Sequence, residues 1–169
     1  MLSKIKCFNV LFITLICFNF EAYAINQNQY LSINKLIEEE NINQAFNDLN
    51  LLQKNSDKLS ARSQILIGKI YLAMEKPGKA FTFFEKATFT SVSTDDLAYA
   101  GMALSSVKLG NLTDAKMFAE KALKENPDLV DARLALAYIF ADYGQEKISN
   151  NYFIKVVLKV LFDYLFLSC

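Results

Sequence analysis

The sequence predicts an all-α solenoid of about four helix–turn–helix units, and three observations predict it. The first is a phrase that opens on a small residue and carries an apolar residue four positions later. It occurs at Ala45 to Leu49, Ala80 to Phe84, Ala115 to Ala119 and Ser149 to Phe153. The opening residues stand 35, 35 and 34 apart, a period that marks helical repeat architecture. The second is apolar recurrence at three and four. Ile67, Gly68, Tyr71 and Met74 form one stripe, and Ala80, Phe83, Phe84 and Ala87 another. The third is punctuation. Gly110 and Gly144 fall where the first helix of a pair should end, a place that favours a left-handed residue.

Residues 1–24 read as a secretory signal peptide. Lys4 and Lys6 give a positive start, Cys7 to Phe20 a short apolar run, and Ala22-Tyr23-Ala24 a small-residue cleavage site. The alternative is an uncleaved N-terminal anchor, against which the run is short for a bilayer span, which takes roughly 20 apolar residues. Cys17 lacks the small residue before it that a lipid-attachment box wants. The mature chain is expected to begin at Ile25, placing it outside the inner membrane, in the periplasm or elsewhere in the envelope. Cys7 and Cys17 would leave with the signal. Cys169 would then stand alone, excluding an intramolecular disulfide.

The units follow in order: 25–60, 61–95, 96–129 and 130–158, with an apolar tail over 159–169. In the first, Asn41 and Gln44 have the spacing of a capping box. In the second, Lys76-Pro77-Gly78 opens a helix running through Ala80, Phe84 and Ala87, since proline is at home in a first turn. Gly68 and Ala80 are small enough to let the two helices approach closely. Ser93 and Asp96 are a weaker start signal for the third unit, and Asn126-Pro127-Asp128 is expected to open the fourth. Val and Thr nowhere alternate with polar residues for long, so strands are not predicted.

Composition argues against catalysis. There is no histidine and no tryptophan. Without histidine the chain lacks the commonest general acid/base and metal ligand. No Gly-rich phosphate loop, nucleophile elbow or Cys/His cluster is present. Glu38-Glu39-Glu40 lacks the alternating ligands and turn glycine of a calcium loop and reads as a solvated helix end. No cofactor or metal is expected. Eighteen basic residues balance eighteen acidic ones. Removing Lys4, Lys6 and Glu21 with the signal leaves 16 and 17, with no basic footprint for nucleic acid.

These residues resemble the tetratricopeptide-repeat family. The closest unit carries Ile67-Gly68, Tyr71, Ala80, Phe84 and Ala87. The next carries Tyr99, Met102-Ala103, Gly110, Ala115, Ala119, Ala122 and Pro127, with Ser106 replacing a usual tyrosine. The last carries Leu136-Ala137, Phe140, Gly144, Phe153 and Val156, with Ser149 replacing a usual alanine. The first keeps Leu36, Ala45, Leu49 and Leu52 but has Ile33 at the small position. The resemblance implies a right-handed superhelix whose concave face is lined by the first helix of each pair. It implies groove residues Arg62, Ile65, Lys69 and Leu72 from the second unit, and Leu97, Ala100, Leu104 and Lys108 from the third. Asp131, Leu134, Tyr138 and Asp142 follow from the fourth. Of the positions that hold terminal carboxylates in some family members, only Lys69 is suited. The mostly apolar groove therefore fits an extended or helical peptide. Leu104 and Leu134 have an equally good reading as packing residues. A related 35-residue repeat reads RNA one base at a time; the signal segment and neutral charge weigh against it.

Residues 156–169 are 14 positions with 11 apolar side chains, broken only by Lys159, Asp163 and Ser168. A solenoid ordinarily closes on a helix with a polar outer face. The tail has three readings: a cap folded back on the array, a docking segment for a partner or membrane, or a shortened or frame-altered version of a longer array. Self-association is expected from it. The function expected is a non-catalytic protein–protein scaffold of a bacterial envelope. The alternative is an accessory or N-terminal regulatory part of a longer repeat-containing enzyme or of a secretion or polysaccharide-assembly protein.

Overall fold

The computed structural model describes residues 31–37, 39–53, 60–90 and 95–167, and of 52, 53, 166 and 167 the backbone alone. The described residues form eight helices and no strand. They are α1 (31–37), α2 (Ile42–Gln53), α3 (Ala61–Ala73), α4 (Pro77–Thr90), α5 (Asp95–Lys108), α6 (Leu112–Glu125), α7 (Val130–Asp142) and α8 (Glu146–Leu167). They pair as α1–α2, α3–α4, α5–α6 and α7–α8, and the solenoid is all-α as expected. The signal segment and the capping pair that begins at Ser93 lie outside the described residues, as does Cys169.

One turn is built four times. Glu40, Glu75, Gly110 and Gly144 have φ of 58°, 54°, 79° and 68°. Each donates its N–H three residues back, to Ile37, Leu72, Val107 and Ala141. The following residue donates five back: Asn41 to Leu36, Lys76 to Tyr71, Asn111 to Ser106 and Gln145 to Phe140, at 2.8–2.9 Å. This is the Schellman closure, which satisfies carbonyls a helix end would otherwise leave unpaired. The carbonyl of that same residue accepts the first bond of the second helix, from Ala45, Ala80, Ala115 and Ser149. A single residue thus ends one helix and starts the next, which is why the repeat tolerates so short a connection.

Other helix ends differ from the sequence reading. Asn41 does precede α2, but its amide meets the Gln44 side chain at 3.5 Å rather than forming a reciprocal capping box. Pro127 does not open α7. Asn126 Oδ1 accepts from the Asp128 N–H at 3.2 Å, and the helix begins at Val130. Such an Asx turn competes with helix formation and holds the proline in the loop. Ser60 is a true cap: its hydroxyl accepts from the Ser63 N–H at 3.2 Å.

The core is a chain of clusters, one per junction. Ile33, Ala45, Leu49, Leu66, Ile67 and Ile70 join the first pair to the second. Ala61, Ile65, Ala80, Phe84, Ala87, Ala98 and Met102 join the second to the third. Ala100, Ala103, Ala115, Ala119, Ala122, Ala132, Ala135, Leu136 and Ile139 join the third to the fourth. Positions 33, 68, 103 and 137, one period apart, are all buried. Phe84 is the largest fully buried side chain, 1% exposed. A Cβ on Gly68 would stand 2.7 Å from its ring, and one on Gly101 would come within the ring's contact distance from the next pair. The ring is therefore held between two helix backbones that only glycine lets this close.

Two of the buried serines satisfy their hydroxyls on backbone carbonyls. Ser105 donates to the Gly101 carbonyl and Ser149 to the Ala137 carbonyl, each at 2.8 Å. Each hydroxyl thereby keeps a hydrogen bond in exchange for the water it lost. The tail does not fold back as a cap. It continues α8 without a break to Leu167.

Candidate protein-binding face

The first helices lie side by side, and this decides which of their residues are open. Lys69 Nζ donates to Asn34 Oδ1 at 3.3 Å, linking α3 to α1. The two residues are 35 apart, one period, so neighbouring first helices turn the same face to the same side. Asn34 belongs to this face although no motif marks it. The only signal in the sequence is that it stands one period before Lys69.

One row along the face consists of Arg62, Leu97 and Asp131. Arg62 is exposed, Leu97 is 37% exposed, and Asp131 is half-buried in the first turn of α7. Its charge there suits the positive end of the helix dipole. A second row consists of Lys69, Leu104 and Tyr138. Lys69 and Leu104 are half-buried. Tyr138 is 47% exposed and turns towards α8, meeting Phe153 edge to face at 5.6 Å between ring centroids. At the far ends of the helices Leu72 is half-buried, while Lys108 and Asp142 are exposed. Lys108 Nζ reaches both carboxylate oxygens of Glu75, in the turn after α3, at 2.9 Å.

Two residues expected on the face are not on it. Ile65 is 4% exposed and packs with Ala98 and Met102 of α5. Ala100 is fully buried against Ala132, Ala135 and Leu136 of α7. Both point sideways into the contact between adjacent first helices. Leu134, at the same register on α7, is half-buried, and Leu104 and Leu72 lean on the clusters beneath them.

The open face is therefore a mixture. Leu97 and Tyr138 offer apolar surface, Arg62 and Lys69 lie towards the α3 end, and Asp131 and Asp142 towards the α7 end. No group of three His, Cys, Asp or Glu able to hold a metal occurs among the described residues. No helix among them is long and apolar enough to cross a membrane.

Residues 61–88 and 97–129 match the family model for the tetratricopeptide repeat. These two helix pairs are matched as tetratricopeptide repeats. The matched segments coincide with α3–α4 and with α5–α6 plus the loop that follows. No curated protein matches the sequence. Two solved structures of MamA share the architecture. One superposes with a TM-score of 0.57 at 17% identity, covering 82% of this chain and 80% of MamA. The other gives 0.53 at 18% identity, covering 79% and 76%. At such identity the likeness concerns the fold.

Tetratricopeptide repeats are protein-interaction scaffolds, and here the units keep their aromatic packing by different means. Tyr71 stacks on Phe83 at 5.5 Å, and Phe140 on Tyr152 at 5.7 Å, at equivalent positions of two repeats. The repeat between them has Ser106 in place of that tyrosine. Tyr99 compensates, stacking on Phe118 at 6.3 Å from the start of α5. Lys121 lies over the Tyr99 ring and donates to its hydroxyl at 2.5 Å.

Proposed function

We propose that the protein is a non-catalytic scaffold that holds a peptide or protein segment against the first helices of its repeats. The observation that carries this is the repeated side-by-side packing of those helices: Lys69 bonds Asn34 one period away, Ile65 packs with Ala98 and Met102, and Ala100 packs with Ala132 and Leu136. It makes Arg62, Leu97, Lys69, Leu104 and Tyr138 parts of one surface. Solenoid repeats use such surfaces to take extended partners. The charges on the face give the segment a direction. Its acidic part would lie by Arg62 and Lys69, its basic part by Asp131 and Asp142, and its apolar side chains over Leu97. Complementarity of this kind sets register and partner choice more than affinity.

The test is selection of peptides from a displayed library, followed by titration of the winners against variants. Leu97→Asp and Arg62→Glu are expected to weaken binding at least about tenfold, or about 1.4 kcal/mol, with thermal unfolding unchanged. Phe89→Ser, on the exposed side of α4, is expected to leave binding intact. Loss of binding by the Phe89 variant alone would place the partner elsewhere and end this reading.

The place of action we propose is the bacterial envelope, supported by Lys4, Lys6, the apolar run and Ala22-Tyr23-Ala24. Mass spectrometry of the protein from its native cells is expected to find Ile25 at the N-terminus. An intact Met1, or lipid on Cys17, would contradict it.

A further inference from the structure

The last helix outruns its partner. At 1.5 Å per residue, α8 with 22 residues is roughly 13 Å longer than α7 with 13. From Ile154 to Leu165 its apolar side chains are largely in water: Val157, Leu158, Leu161, Tyr164 and Leu165 are 49–73% exposed. Nothing among the described residues covers Val157, Leu158 or Leu161. In the preceding repeats, the first helix of the next pair covers the corresponding side of the second helix, as α5 covers α4 at Phe84.

The pattern of this surface says what would cover it. Ile154, Val157, Leu161 and Tyr164 are spaced three, four and three, the a and d positions of a two-stranded coiled coil. On that frame Lys155, Lys159 and Asp163 fall at b, f and c, the outward positions. They are the only charges between Ile148 and Leu167. Lys159 and Asp163 pair with each other at 2.8 Å, so they ask nothing of a partner. Leu158, Val160 and Leu165 occupy the flanking e and g positions, where a partner-selecting helix would carry charge. A surface without charge, whose one polar group is the Tyr164 hydroxyl at its end, matches a copy of itself, and apolar composition is the mark of lasting homodimer contacts.

The size is sufficient. Six large side chains on this side, each exposing roughly 100 Å², give about 600 Å² per copy, or about 1,200 Å² in all, the lower end of stable specific interfaces. A two-fold arrangement buries the same patch on both copies and closes the assembly. We infer that the protein forms a two-fold dimer in which the a/d seam of α8, centred on Val157 and Leu161, packs against the same seam of a second copy. The inference does not depend on the proposed peptide-binding face.

Sedimentation equilibrium of the purified chain tests it. The expected mass is about twice that of the single chain, and Leu161→Glu is expected to halve it with helix content unchanged. Phe89→Glu, equally apolar and exposed but on α4, is expected to remain dimeric. A second readout does not depend on that variant folding. In a chain with Cys7, Cys17 and Cys169 replaced by Ser, Leu161→Cys is expected to cross-link two copies on oxidation, and Lys159→Cys is not. A monomer at about 100 µM would overturn the inference. So would a mass that climbs without limit, which means open head-to-tail stacking, or equal cross-linking at 159 and 161. Flotation of a monomer with anionic phospholipid vesicles would assign the seam to a membrane surface instead.

Discussion

Phe84 and Phe153 hold the same place in their repeats and live in different surroundings. Phe84 lies between α3 of its own pair and α5 of the next, with Gly68 on one side of the ring and Gly101 on the other. Phe153 meets Tyr138 of its own pair edge to face and has no following helix among the described residues. It is half-buried. The same repeat position is thus a lock between units inside the array and a partly wetted ring at its end. What a repeat residue contributes depends on whether it has neighbours on both sides, as expected where stability is a sum of unit and junction terms.

The largest test of that difference is Phe84→Ala against Phe153→Ala. The first is expected to cost about 3–5 kcal/mol, the range for emptying a buried aromatic site. The second is expected to cost about 1–2 kcal/mol, because much of the ring is already in water. Equal losses in urea unfolding would show that the end of the array is as well covered as its middle.

Next comes the slot itself. Gly101→Ala should destabilise by about 1–3 kcal/mol, with Gly68→Ala at the lower end, since the ring can give way less at Gly101. Gly68→Leu should be worse than Lys69→Leu, whose side chain is half-open. Shrinking the ring is expected to relieve the clash, so Phe84→Leu combined with Gly101→Ala should lose less than the two single costs together. Additive losses in thermal unfolding would mean the glycine is there for another reason.

A smaller effect concerns the turns. Glu75 holds a left-handed conformation that costs a side-chain-bearing residue about 1–2 kcal/mol. Glu75→Gly is expected to raise stability by up to about 1 kcal/mol, reduced by loss of the exposed pair with Lys108, itself worth about 0–1 kcal/mol. A lowered melting temperature would show that the Lys108 contact matters more than the backbone. Smallest of all, Ser149→Ala, which restores the residue of the other repeats, should change stability by no more than about 1 kcal/mol.

Much of the fold was legible because it is written in a period. The recurrence from Ala45 to Ser149 placed the pairs, and Gly110 and Gly144 announced two of the four turns. Glu40 and Glu75 announced nothing, because the Schellman hydrogen bonds carry a residue whose own preference lies elsewhere. Gly101 was hidden for a related reason. The repeat's small position falls at Ala103, and the need for a second glycine arises from the size of Phe84, 17 residues earlier. Tyr99 as a substitute for the tyrosine missing at Ser106 required knowing that α5 brings both near Phe118.

The candidate face was half legible. Periodicity at three and four marks a stripe as apolar but does not say whether it meets a neighbour or a ligand. Ile65 and Ala100 share a stripe with Lys69 and Leu104, yet they face the adjacent first helix. Only the sideways spacing of α3, α5 and α7 separates the two cases, and that spacing is a property of the assembled array.

The ring held between Gly68 and Gly101 also sets how the molecule comes apart. Neither α3 nor α5 can lift away without exposing the Phe84 ring, so the two helices share a single opening event. Their central amides should therefore exchange hydrogen at one common rate, as a cooperative block, while the outer helices fray ahead of them.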